Sequence, residues 1–216
     1  MIILNLIFGQ IISDSNCIFK KSYKNNLIEC AVSGSSFQYI NGSQQKTKPE
    51  YAFDQIDKHY DWCSNCGINK SDLPWAIYSI KNHMIRLSGY YLRIGCCDVN
   101  YPCCCLDDNE CCECCLYSWS LQISNDNKTW KTVHKVEKDL EMRHCKEKTY
   151  KFSETFNTKY VRIIQDESCP GDPPCIAINK IELIGSIENE NGFVLDDQEN
   201  EEDDVSIIGH ISKNRI

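Results

Sequence analysis

Tyr117-Ser-Trp-Ser-Leu-Gln-Ile-Ser-Asn-Asp-Asn-Lys-Thr-Trp130 alternates apolar and polar residues over its first half. Trp119, Leu121 and Ile123 fall on one face, and Ser118, Ser120, Gln122 and Ser124 on the other. That period of two marks a half-buried β-strand. Asn125-Asp126-Asn127-Lys128 then supplies side chains that bond their own backbone and tolerate left-handed conformations, so the chain turns back. Trp130 and Val133 in the return segment are expected to rejoin the apolar face. The stretch reads as a β-hairpin carrying two tryptophans into a core.

Outward from the hairpin, further short strands alternate with turn signals. Leu27–Val32, Pro74–Ile80, Met84–Leu87, Tyr90–Ile94, Thr149–Phe152, Tyr160–Gln165 and Ile178–Ile187 all read as strands. Ser88-Gly89 separates the third from the fourth, and the proline-rich Asp166–Cys175 reads as a loop. No long helical period and no internal repeat is present. About eight strands spaced by turns describe an all-β, antiparallel sandwich or jelly roll.

The chain has 216 residues, 42% of them hydrophobic, enough for one core with appended segments. Of the net charge of −8, residues 188–216 carry −7 from nine acids and two bases, leaving the body near −1. Residues 188–216 read as a disordered acidic tail. A body without a basic stripe does not support nucleic-acid binding, which needs Lys and Arg against phosphates. No apolar run reaches the roughly 18 residues of a transmembrane helix. Residues 1–13 are read as a short signal peptide ending near Ser13 or, alternatively, as a first strand; residues 14–47 form an N-terminal extension with one strand.

Sixteen cysteines dominate the composition, nine of them between Cys96 and Cys115. Such a load suits a secreted or cell-surface protein with disulfides; a cytoplasmic protein would need the thiolates bound to metal. Both readings stay open on the residues alone. Cys63-x2-Cys66 and Cys111-Cys-x-Cys-Cys115 offer zinc ligands if the cysteines are reduced. S-acylation and redox chemistry are weaker alternatives.

Several short motifs then line up with one family. Tyr51-Ala-Phe-Asp54, Trp62-Cys-Ser64, Pro74-Trp75, Ser118 to Asp126 with Trp130, Tyr160-Val-Arg-Ile163 and Ile181-Glu-Leu-Ile-Gly185 occur in the order found in discoidin domains. These coagulation-factor type C domains belong to the galactose-binding-like jelly rolls. The chain resembles in particular those of parasitic protists, over residues 48–187.

The resemblance implies an eight-stranded antiparallel jelly-roll β-sandwich that binds ligands through three loops at one end. Here those loops are Trp62–Gly67, Gly95–Tyr117 and Asp166–Cys175. They contain thirteen of the sixteen cysteines: Cys63, Cys66, Cys96, Cys97, Cys103, Cys104, Cys105, Cys111, Cys112, Cys114, Cys115, Cys169 and Cys175. Trp62, Ser64, Asn65, Trp75, Arg93, Asp98, Asn100 and Tyr101 are the candidate ligand-binding residues, with Trp62 and Trp75 as stacking platforms. In sugar-binding relatives the middle loop tends to present a basic side chain, whereas the 96–115 insert has none. Asp54 and Glu182 match positions that help hold a structural calcium in some relatives, and Asp57 could join them. The plainer reading has Asp54 capping a turn and Glu182 facing solvent.

Two functional readings result. One is a secreted, non-catalytic adhesion module contacting a glycan, a cell-surface protein or a lipid headgroup. The other is an intracellular protein whose insert binds metal.

Overall fold

The computed structural model describes residues 16–67, 72–96 and 115–189. Within them a short helix α1 (Ile18–Tyr23) precedes eleven strands. These are β1 (Ile28–Val32), β2 (Phe37–Ile40), β3 (Ser43–Lys46), β4 (Trp62–Cys63), β5 (Trp75–Ile80), β6 (His83–Ile94), β7 (Ser118–Ser124), β8 (Lys131–Val136), β9 (Glu147–Thr158), β10 (Tyr160–Glu167) and β11 (Ala177–Asn189).

They form one sheet in the order β1-β5-β10-β7-β8 and a second in the order β4-β11-β6-β9, with β2-β3 as a separate hairpin. All pairings are antiparallel. Leaving aside β2-β3 and the two-residue β4, eight strands make a jelly-roll sandwich, as the sequence leads one to expect. Alternate residues of both sheets point inward. Leu121, Val161 and Ile163 from the first meet Leu87, Leu92, Ile181 and Leu183 from the second in one continuous core. Each such side chain, taken fully from water, contributes roughly 1.5–3 kcal/mol.

Residues 16–46 are part of this body. β1 pairs with β5 from Ile28↔Ile80 to Val32↔Ala76. Phe19 is fully buried, its ring 5.7 Å from that of Phe53 and 5.2 Å from that of Tyr78. Helix α1 is too short to show a helical period in the sequence. The β2-β3 hairpin turns on Asn41-Gly42, both at positive φ (52° and 77°), as a two-residue hairpin turn requires.

The segment 83–94 is one strand, not the two that Ser88-Gly89 suggests. The pair forms a β-bulge between Leu87 and Gly89. A Cβ at Gly89 would stand 2.3 Å from the Tyr150 carbonyl oxygen. Across the sheet the register shifts at Ile184/Gly185, where Gly185 has φ +151° and a Cβ would lie 1.9 Å from the Arg86 oxygen. The two glycines admit a close backbone approach, so they bend a long strand instead of ending it.

The opening hairpin forms as read, with one correction. Trp119 is fully buried and its indole N–H donates to the Tyr90 hydroxyl at 3.0 Å. Trp130 does not join it. It lies just before β8, half-exposed, with the Arg162 guanidinium 4.1 Å from its ring centre. One residue of phase separates it from the inward set, and the cation–π contact covers its face instead.

Candidate functional site

The strand registers decide which loops meet. Ile164 faces Trp75, Glu167 faces Ser118, Ile178 faces both Trp62 and Ile94, and Arg93 faces Glu147. The connections 64–74, 95–117, 137–146 and 168–176 therefore leave the sandwich at the same end. The described roots of the three loops that the resemblance implies are brought together, and a fourth connection, 137–146, joins them.

They are bonded to one another. The Ser64 N–H donates to the Ile176 carbonyl at 2.8 Å, the Ile176 N–H returns to the Ser64 hydroxyl at 2.9 Å, and the Gly67 N–H reaches the Pro174 carbonyl at 2.7 Å. Disulfides Cys96–Cys145 and Cys115–Cys169 fasten both roots of the insert, with Cα separations of 4.5 and 6.3 Å. The Leu116 N–H donates to the Met142 carbonyl and the Cys145 N–H to the Gly95 carbonyl, each at 3.0 Å, so the 137–146 loop brackets the insert. Met142 is fully buried.

Below these loops lies the fully buried Asp61. Its carboxylate accepts the Cys96 N–H at 2.9 Å, the Asn179 amide at 3.0 Å and the Gln38 amide at 3.3 Å. The Asp61 N–H donates to the Gln38 side-chain oxygen at 2.7 Å. Burial pushes the carboxyl up to about 6, against the hydrogen bonds, which pull it down. One side chain thus links the β2-β3 hairpin, the last strand and the first residue of the insert.

The expected site residues divide as follows. Ser64 is buried and pins the first loop to the last, which makes it structural. Trp62 is fully buried, its indole N–H donating to the Ser35 hydroxyl at 3.0 Å, so it is a core residue and not an exposed stacking platform. Its position in β4, paired with Ile178, turns the ring inward. Trp75 is half-exposed and Asn65 exposed at the loop end. Arg93 lies near the end of β6, paired with Glu147. With Tyr91, Asp57, Lys20, Lys180 and Glu182 it borders a flank cleft of about 430 Å³, and it donates to Glu147 at 2.7 Å. Asp98, Asn100, Tyr101 and the seven cysteines from Cys97 to Cys114 lie outside the described residues.

The calcium donors do not assemble into an oxygen shell. Asp54 accepts the Ile56 N–H at 3.3 Å, the turn cap of the plainer reading, and is ion-paired to Lys58. Glu182 is buried, not solvent-facing. Its two oxygens accept the N–H groups of Phe19 at 2.6 Å and Lys20 at 3.1 Å, capping α1, and burial pushes its carboxyl up to about 7. Asp57 is fully exposed, 3.8 Å from Arg93. Among the described residues no three His, Cys, Asp or Glu side chains gather as a metal site. Nor is any described helix long and apolar enough to cross a membrane.

Sequence reasoning passed over Asp61, Lys58 and Cys145. Cys145 stands alone in its segment, and no local spacing marks a buried carboxylate or ammonium.

Two solved structures show a similar fold. CBM32-3 from a family 31 glycoside hydrolase of Clostridium perfringens is 11% identical, with a TM-score of 0.51 covering 74% of this chain and 92% of that one. The jelly-roll sandwich is the feature the chain shares with it. The CBM32-1 and CBM32-2 domains of Clostridium perfringens ZmpB give 14% identity and a TM-score of 0.51, over 76% of this chain and 37% of that one. No family model and no curated protein sequence matches. At these identities the likeness is one of fold alone.

Proposed function

We propose that the chain is a secreted, non-catalytic glycan-binding module that presents its ligand surface at the loop end. One observation carries this reading: of four connections that meet at one end, far apart in sequence, three are cross-linked by Cys96–Cys145 and Cys115–Cys169 and the fourth, 64–74, is hydrogen-bonded to 168–176. Loops fixed in advance lose little conformational entropy when a ligand arrives, which favours weak, polar ligands such as sugars. Asn65 and the half-exposed Trp75 offer an amide and an aromatic face there. The nearly neutral body suits an uncharged ligand better than a polyanion. The solved modules of the same fold are carbohydrate-binding modules, which is consistent with this choice.

The disulfides also weigh against the intracellular metal reading, because they remove Cys96, Cys115 and Cys169 from the thiolate pool. They support an oxidising, extracellular setting.

The test is a glycan microarray probed with the full oxidised chain, followed by calorimetric titration of any sugar that binds. Binding that disappears in a Cys115→Ser/Cys169→Ser variant that remains folded by circular dichroism supports the loop end. Failure of the folded wild type to bind any arrayed glycan sinks the proposal.

A further inference from the structure

The acidic turn where the resemblance implies calcium already holds a cation of the protein's own. The Lys58 side chain is 4% exposed, and its ammonium is ion-paired to Asp54, four residues earlier. It also donates to the Tyr51 carbonyl. The Tyr51 and Tyr60 rings meet edge to face at 4.6 Å, and the ammonium lies 5.4 and 5.1 Å from their centres. Burial lowers the Lys58 pKa, while the hydrogen bond to Asp54 and the charges of Asp54 and Asp61 raise it. The backbone of the same turn is held from β11, where the Asn179 amide donates to the Lys58 carbonyl at 3.1 Å.

A calcium shell needs six to eight oxygens. The carboxylate and carbonyl that could begin one here both face an ammonium. Glu182 is committed to α1, and Asp57 points into solvent. We propose that Lys58 takes the place of a metal ion. Its ammonium neutralises Asp54 and gathers the turn 49–61 that leads into the first loop, so the loop end keeps its shape without calcium. This does not depend on what the loop end binds.

Thermal unfolding of the full oxidised chain tests it, in EDTA and in millimolar calcium, for wild type, Lys58→Met and Lys58→Met/Asp54→Asn. Wild type is expected to melt at the same temperature in both solutions. Lys58→Met, which strands a buried carboxylate, is expected to lose on the order of 10 °C. The double variant, with neither charge, recovers most of that loss. A wild-type melting temperature that falls in EDTA and returns with calcium overturns the proposal, as does a double variant melting at or below the single one. If the single variant does not fold, the chelation arm and the double variant decide alone.

Discussion

The 125–130 turn is held chiefly by bonds among its own residues, the loop end by bonds and disulfides between distant segments. At the 125–130 turn, Asp126 accepts the Lys128 N–H at 2.8 Å, the Thr129 N–H at 2.7 Å and the Ser124 hydroxyl at 2.9 Å. Asn127 supplies the left-handed φ of 57°. These partners lie within three residues. At the loop end, Asp61 reaches residues 35 and 118 positions away, and the disulfides span 49 and 54. The first is a turn whose shape is set locally and then tied to its neighbour by the Lys159 N–H donating to Asn125 Oδ1 at 3.0 Å. The other exists only when the whole sheet has formed, and it is the end free to vary in chemistry while the fold stays fixed.

Breaking the long-range end should cost most. Removing Cys115–Cys169 by double serine substitution frees a loop closed across 54 residues, an expected loss of about 4 kcal/mol on the chain-entropy estimate. Denaturant unfolding of the variant measures it, and a loss below 1 kcal/mol would mean that the loops hold themselves. Asp61→Ala strands the Cys96 N–H and two buried amides, for an expected loss of about 2–3 kcal/mol in the same assay. Proteolysis should then cut first at the insert root.

Acidity should act on the buried carboxyls of Asp61 and Glu182 in an unusual direction. Asp61 and Glu182 are raised to about 6 and about 7, above ordinary carboxyl values, so the folded chain holds protons that the unfolded one releases. Their contribution is complete below the unfolded value near 4 and is lost as pH rises through 6 and 7. The melting temperature should therefore climb by a few degrees between about pH 8 and pH 5. Glu182→Gln should flatten the upper part of that profile; an unchanged slope would place the effect elsewhere. Asp126→Ala, at the exposed turn, should shift the melting temperature least of all. A loss as large as that of Asp61→Ala would erase the distinction between the ends.

Strands could be read from sequence wherever one face is buried, as in β5, β7 and β10, because the alternation is itself the imprint of a core on one side. Ser88-Gly89 misled because a glycine admits a bulge as readily as a turn, and only the neighbouring strands choose. Trp62 and Trp130 misled in opposite directions. An aromatic ring is equally at home in a core and under a guanidinium, and a single residue of phase or one edge-strand pairing decides which.

By itself the sequence determined the sandwich and the hairpin turn at Asn125–Lys128, because periodicity and turn chemistry are local; the three cysteine-bearing connections came only from the resemblance to discoidin domains. The tertiary structure alone decided that 137–146 is a fourth loop, that Cys145 pairs with Cys96, that Asp61 anchors the insert, and that Lys58 occupies the acidic turn. Those facts rest on contacts between residues tens of positions apart, or on burial, and neither leaves a periodic trace in the chain.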